Sequence, residues 1–302
     1  MIRVTTVSEC ERSPRKNFDK AVGQMASRLE LPAIQIDSGM DRSLNRLAPF
    51  FQSLATANQS ALLLDFDGTL APMRVDPSKV RPWAGVVRLL QEIQESGRTR
   101  LSIITGRSAN EVVLQLGMRD APEIWGLHGA ERLSVDGSWV REELPASDQS
   151  LLEAARLRVR IALPDARVEE KRNGVVVHWR GKPVRFIQSI QSRALNALLP
   201  FTNTNGVRLL QFDGGIELRI GCDKGDAVRM ILAEIPSTAP VAYLGDDVTD
   251  EDAFQALNGR GLTVLVRRNW RPSVAQAWLR PPAELREFLT AWLRAAKSVY
   301  NS

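Results

Sequence analysis

The apolar positions of the chain follow two grammars. In the first, short apolar runs bounded by polar residues alternate with helical stretches. The runs are Leu62-Leu63-Leu64, Leu101-Ser102-Ile103-Ile104, Ile124-Trp125-Gly126-Leu127, Val241-Ala242-Tyr243-Leu244 and a last one at Leu262 to Val266. Such runs predict strands buried on both faces. Between them, Ala84 to Glu95 places Val86, Val87, Leu89, Leu90 and Ile93 at helical spacing, and Gly97 closes it. Ser108 to Leu116, Lys224 to Ala233, the stretch through Phe254 and Leu257, and Glu284 to Lys297 also predict helices. Leu44 to Ala57 predicts a short helix leading to the first strand. Strand and helix in alternation predict a parallel sheet in an α/β fold, with a Rossmann-like core.

Near Ala130 the second grammar begins. Glu131 to Val135 and Trp139 to Glu142 flank Asp136-Gly137, a hairpin signal. Ser150 to Leu163 and Val184 to Leu198 predict helices. Arg167 to Lys171 pairs with Gly174 to Trp179, and Val207 to Phe212 with Ile216 to Ile220, around turns rich in Asn, Asp and Gly. Hairpins beside helices predict an inserted α+β module. The expected division is an extension over residues 1–45, a core over 46–143 and 223–302, and the insert over 144–222. Within the extension, Phe18 to Leu29 is a candidate helix.

Composition narrows the class. The 302 residues carry 44% hydrophobic positions and a net charge of +5, which suits a globular chain with an anionic substrate. No dense basic block favours nucleic acid, and no apolar run approaches a membrane span or a signal core. Cys10 and Cys222 lie far apart, so a reducing cytoplasm is expected. His128 and His178 are the two histidines, too few for a histidine-rich zinc site.

The candidate chemistry sits at strand ends. The first strand runs into Asp65-Phe66-Asp67-Gly68-Thr69; the alternation of a strand turns both carboxylates to one side. Gly68 permits a sharp turn that brings backbone N–H groups to an anion. The second strand ends in Thr105-Gly106-Arg107, Lys224 starts a helix, and the fourth strand ends in Asp246-Asp247 with Asp250 beyond. In a parallel sheet these ends share one edge, where ligands bind. Clustered carboxylates with few His or Cys point to Mg²⁺ and a phosphate. Asp65 would attack phosphorus, Lys224 and Thr105 would hold phosphoryl oxygens, and Asp67 would move the proton.

With these motifs in order, the chain resembles the haloacid dehalogenase-like phosphohydrolases. More narrowly, Asp65 to Pro72, Gly126-Leu127-His128-Gly129-Ala130-Glu131, Glu169-x-Lys171 with His178-Trp179-Arg180, Glu217-Leu218-Arg219 before Asp223-Lys224-Gly225, and Gly245 to Phe254 resemble the trehalose-6-phosphate phosphatases. Where that family has a proline after its Glu-x-Arg segment, this chain has Ile220. The resemblance implies an aspartyl-phosphate on Asp65 and Mg²⁺ held by Asp65, the Asp67 carbonyl and Asp246, with Asp247 and Asp250 in support. It implies that the insert is a cap domain, that the substrate is trehalose 6-phosphate, and that His128 and Gly129 lie against it. Glu169, Lys171, His178, Arg180 and Glu217 offer charged and polar groups for sugar hydroxyls, while Arg107 and Arg132 offer cations. Other sugar phosphates, such as glucosylglycerol phosphate or sucrose phosphate, and a non-catalytic sugar-binding regulator are the alternatives. The extension is a candidate docking segment for a trehalose-phosphate synthase.

Overall fold

Strand β1 (Ser60–Leu64) is buried along its whole length because its alternate residues feed two different layers. Leu62, Leu64 and the following Phe66 enter one apolar cluster; Ala61 and Leu63 enter a second with Ile104, Trp125, Val228, Tyr243 and Phe254. The computed structural model describes residues 47–141, 143–212 and 214–298. The expected extension, its Phe18–Leu29 helix and its docking role lie outside these residues.

The main sheet has eight strands in the order β12-β11-β10-β1-β2-β3-β4-β5. Helix α1 (Ala48–Thr56) leads into β1, and α2 (Val86–Glu95) connects it to β2 (Thr99–Ile104). Then come α3 (Ala109–Leu116), β3 (Glu123–Gly126), β4 (Glu131–Leu133) and β5 (Trp139–Arg141). After the insert the chain returns with α6 (Lys224–Ala233), β10 (Val241–Gly245), α7 (Glu251–Leu257), β11 (Leu262–Val266), β12 (Ala277–Leu279) and α8 (Ala283–Lys297). The parallel register sets Leu64 level with Leu244 on one side and Ile103 on the other. Asp65, Asp246 and Thr105 therefore leave the sheet at neighbouring points of one edge. Helix α8 covers the first layer, and Phe50 and Phe51 of α1 meet its Trp292 and Phe288 at ring separations of 5.7 and 5.4 Å.

The β4–β5 hairpin pairs antiparallel onto β3 and extends the main sheet. One expectation is corrected in the sheet. Leu262 to Val266 is not the last strand: β12 adds a parallel edge through only three residues, shorter than an apolar run that reads as a strand.

The insert begins with α4 (Ala146–Ala162), which starts four residues earlier than the apolar spacing indicates, directly after Pro145. It continues through β6 (Arg167–Lys171), β7 (Gly174–His178), α5 (Val184–Leu198), β8 (Val207–Phe212) and β9 (Gly215–Ile220). The strands form an antiparallel sheet in the order β6-β7-β9-β8. One face, with Val175, Val177, Ile216, Leu218 and Ile220, packs beneath the two helices. Directly paired residues share a face, so the other face carries two charged rows. Glu169, Val176, Glu217 and Leu210 form one; Lys171, Gly174, Arg219 and Arg208 form the next. Ile220 donates its N–H to the Asn173 carbonyl at 2.9 Å, a bond that a proline in its place would lack. The chain enters the insert past Leu144 and leaves through Ile220 to Cys222, and these residues with Leu127 line one cavity of about 10 Å³. Among the described residues, no helix is long and apolar enough to cross a membrane.

Candidate active site

The carboxyl edge of the main sheet faces the charged rows of the insert. β1 delivers Asp65, 3% exposed, to this junction, while Phe66 turns back into the core. Gly68 takes φ +89°, and a Cβ there would lie 2.0 Å from Asp246 Oδ2. Only glycine lets the loops after β1 and β10 approach so closely.

Lys224 Nζ donates to Asp65 Oδ1 at 2.6 Å and to Asp250 Oδ1 at 2.7 Å. Burial pushes the Asp65 carboxyl up to about 7, against the pull of Lys224. Burial alone would lower the lysine, but Asp250 and Asp65 outweigh it and hold its ammonium above the usual lysine range. Lys224 is placed by its neighbour: Asp223 caps α6 by accepting from the Asp226 N–H at 2.9 Å, and Asp226 returns a 2.9 Å bond to the Asp223 N–H. Asp250 is fully engaged. Its Oδ1 also accepts from the Tyr243 hydroxyl at 2.6 Å, and its Oδ2 accepts from the N–H groups of Asp246 and Asp247, each at 2.9 Å. Sequence reasoning overlooked Tyr243; the signal was a phenol inside a buried strand, whose hydroxyl requires a partner.

Among the described residues, one oxygen each from Asp65, Asp246 and Asp250 lie within 4.8 Å of one another. Asp246 Oδ1 is buried without a hydrogen-bond partner. Burial, reinforced by the carboxylates of Asp65, Asp247 and Asp250, pushes Asp246 well above the usual range. Three carboxylates against one ammonium, with oxygen donors alone, fit a hard divalent cation. Asp247 stands outside this triad; its Oδ1 accepts the Val248 N–H at 2.8 Å. The Asp67 carboxylate is held by Arg107, whose Nε and Nη2 reach its two oxygens at 2.5 and 2.7 Å. Burial would lower Arg107, yet Asp67 outweighs it and raises the guanidinium further. Arg107 is thus brought to an acid of this same site, over a sequence separation that no spacing rule conveys.

Thr105 is buried, and its hydroxyl accepts the Arg107 N–H at 3.2 Å. A Cβ on Gly106 would meet the His128 ring at 2.7 Å and Lys171 Nζ at 3.4 Å, so this glycine leaves room for one of the approaches of the insert to the core. Leu127 and His128 both adopt left-handed backbone, at φ 50° and 59°. Non-glycine residues held there store strain, a recurrent feature of functional sites. Their N–H groups are fixed by the Arg107 and Thr105 carbonyls, each at 2.8 Å. His128 Nε2 lies 3.3 Å from Glu217 Oε2, and Lys171 donates to Glu217 Oε1 at 3.1 Å. Burial, with the Arg219 and Lys171 cations, lowers His128 to about 3 despite Glu217, so the imidazole is neutral. Burial would raise Glu217, but Lys171 and His128 prevail and hold it well below the carboxylate range. Gly129 backs onto α6, where a Cβ would come 3.2 Å from the Asp223 carbonyl.

The remaining expected residues separate. Glu169 bonds His178 at 2.8 Å, which lowers the glutamate. Arg180 packs against Gly214, at the end of the insert's sheet away from Lys171. Arg132 is a correction: it does not reach the site. It lies 2.6 Å from Glu123 and 2.7 Å from Glu234, with its guanidinium 4.8 Å from the centre of the Trp125 ring. The antiparallel β4 carries the chain back from the carboxyl edge, so Arg132 faces the opposite end of the sheet.

A parallel sheet with an Asp-x-Asp strand end, a lysine at a helix start, an acidic loop and an inserted α+β cap defines a haloacid dehalogenase-like fold. A phosphatase of that superfamily from Bacteroides thetaiotaomicron superposes on 78% of this chain and 95% of its own, with a TM-score of 0.54 at 18% identity. A model of the family described as trehalose-phosphatase matches residues 63–276. The trehalose-phosphate phosphatase of Mycobacterium marinum is 34% identical over 86% of this chain and 69% of its own length. The C-terminal domain of the trehalose-6-phosphate phosphatase of C. albicans covers 82% of this chain and 96% of its own, with a TM-score of 0.70 at 23% identity. The chain belongs to the trehalose-phosphatase family and is a phosphoric monoester hydrolase.

Proposed function

We propose that the chain hydrolyses trehalose 6-phosphate to trehalose and phosphate, with Mg²⁺, through a phosphoryl ester on Asp65. The observation that carries this reading is the buried Asp65–Lys224–Asp250 constellation beneath a charged cap face, in a member of that family. Asp65, the Asp67 carbonyl and Asp246 would hold the cation, with Asp247 and Asp250 ordering the loop. Bound there, the cation would offset the charge of the phosphoryl oxygens and of Asp65. Lys224 and the Thr105 hydroxyl would hold phosphoryl oxygens in line with Asp65. Asp67 would protonate the departing sugar oxygen and then take a proton from the water that cleaves the ester. An entering phosphate competes for Arg107, which frees one Asp67 oxygen for that transfer.

The cap residues would recognise the sugar. Glu169, Lys171, His178 and Glu217 supply acceptors and donors on one face, and seating that face on the core excludes bulk water. The reducing cytoplasm suits a chain with two distant cysteines. Residues 1–45 would dock a trehalose-phosphate synthase; an unchanged co-purification after removal of Met1 to Asp41 would dismiss that role.

The function is tested by a steady-state panel of trehalose 6-phosphate, sucrose phosphate and glucosylglycerol phosphate, with Mg²⁺ and with chelator. Preference for the trehalose ester and loss of turnover on chelation are expected. A stronger preference for another ester, or unaffected turnover in chelator, would overturn the substrate or the metal assignment respectively.

A further inference from the structure

Strands β8 and β9 set Arg208 directly opposite Arg219, with Lys171 further along the same row. Like charges facing each other across strands repel, so this row needs anions. The core supplies two of them. Arg208 Nη2 lies 2.8 Å from Asp223 Oδ2, and Arg208 Nη1 donates to the two oxygens of Asp252 at 3.3 and 3.2 Å. Arg219, almost wholly buried, lies 3.8 Å from Asp252. The two carboxylates belong to different core helices. Asp223 caps α6 immediately before Lys224, and Asp252 stands in the first turn of α7, two residues past Asp250. Lys224 and Asp250 are themselves bonded, and Lys224 is the partner of Asp65. One guanidinium of the insert thus ties together the two core segments that carry this pair.

We propose that Arg208 is a positioning residue: seating of the insert, through Arg208 on Asp223 and Asp252, fixes Lys224 and Asp250 and so aims the ammonium at Asp65. This rests on the reading of Asp65 and Lys224 as the phosphoryl-transfer machinery. Arg208 acts through the two aspartates and touches no reacting atom. The insert thereby governs the phosphate chemistry as well as the sugar.

The test compares wild type with Arg208→Ala, Arg208→Lys and Asp252→Asn. Each is assayed on trehalose 6-phosphate and on p-nitrophenyl phosphate, which has no sugar for the cap to hold. Hydrogen exchange is followed in a peptide covering residues 223–233. Arg208→Ala should lower kcat about tenfold or more on both esters while KM for the aryl ester moves less than about twofold. Exchange at the start of α6 should accelerate, and Arg208→Lys should recover part of the loss. Combining Arg208→Ala with Asp252→Asn should cost no more than the larger single change, because the two act as one unit.

A kcat within about twofold of wild type on both esters would overturn the proposal. So would a loss confined to KM for the sugar ester, which would make Arg208 a sugar contact, or unchanged exchange in α6. Arg208→Lys and Asp252→Asn carry the same comparison if the alanine variant does not fold. Wild type that cleaves the aryl ester but not the sugar ester would count against the proposed substrate and leave the Arg208 comparison intact. If neither ester is cleaved, the catalytic reading fails and the exchange measurement decides the coupling.

Discussion

His128 offers a direct test of how the insert is docked. Its ring is buried where Glu217, Lys171 and Arg219 of the insert meet the core, and its pKa falls from 6.5 to about 3. The native state therefore resists protonation that the unfolded chain accepts. With a depressed folded-state pKa, stability is present above the unfolded value and is lost as pH falls through the window between 6.5 and about 3. Each pH unit well inside that window costs about 1.4 kcal/mol, so lowering the pH from about 7 to about 5 costs about 2 kcal/mol. His128→Asn removes the titration and suits the backbone, because asparagine tolerates left-handed φ better than most residues. Urea unfolding of both proteins at the two pH values isolates the term, since every other titrating group is shared. The expected result is that wild type loses about 2 kcal/mol more than the variant on acidification. Parallel pH profiles would refute the reasoning and place the imidazole in contact with solvent or with a stronger anion.

Asp65→Asn should abolish turnover, by about a thousandfold or more, with an unchanged unfolding transition; substantial residual activity would remove Asp65 as nucleophile. Asp67→Asn should slow turnover and let phosphoryl enzyme accumulate, detectable by acid quench with labelled substrate. Gly68→Ala should displace Asp246, cost about 1–3 kcal/mol and raise the half-saturating Mg²⁺ concentration; a wild-type metal titration would contradict the clash. Arg132→Ala should leave kcat and KM unchanged while costing about 1–2 kcal/mol in urea unfolding, because Glu123 loses one of its two arginines.

The strand ends were legible because buried parallel strands announce themselves as apolar runs, and the polar residues after each run must then share an edge. That logic assigns Asp65, Thr105, Lys224, Asp246 and Asp250 to one edge from the sequence alone. It does not place Arg132, because the sequence does not show the direction in which the β4 hairpin carries the chain. Nor could it find Arg107 on Asp67, a bond between residues 40 positions apart. The charged rows of the insert depend on cross-strand register, which turn lengths set and composition does not. Arg208 gave no signal for the same reason: its meaning comes from Arg219 beside it and from two core helices it does not adjoin in sequence. Edge strand β12 escaped through brevity.

The chain's entry into the insert and its exit meet at Leu144 and Ile220–Cys222, around a cavity with room for about one water. To the core, the whole insert is a loop whose ends are already joined. Closing such a loop depends only weakly on how many residues it holds. The insert also has its own apolar cluster, separate from those of the core. The insert is joined to the core in two ways: by a narrow covalent neck, and by a polar seam in which Arg208 on Asp223 and Asp252 stands beside the His128–Glu217 and Arg219–Asp252 contacts. A transplanted insert from a relative should serve a new ester only if it brings a cation to that seam.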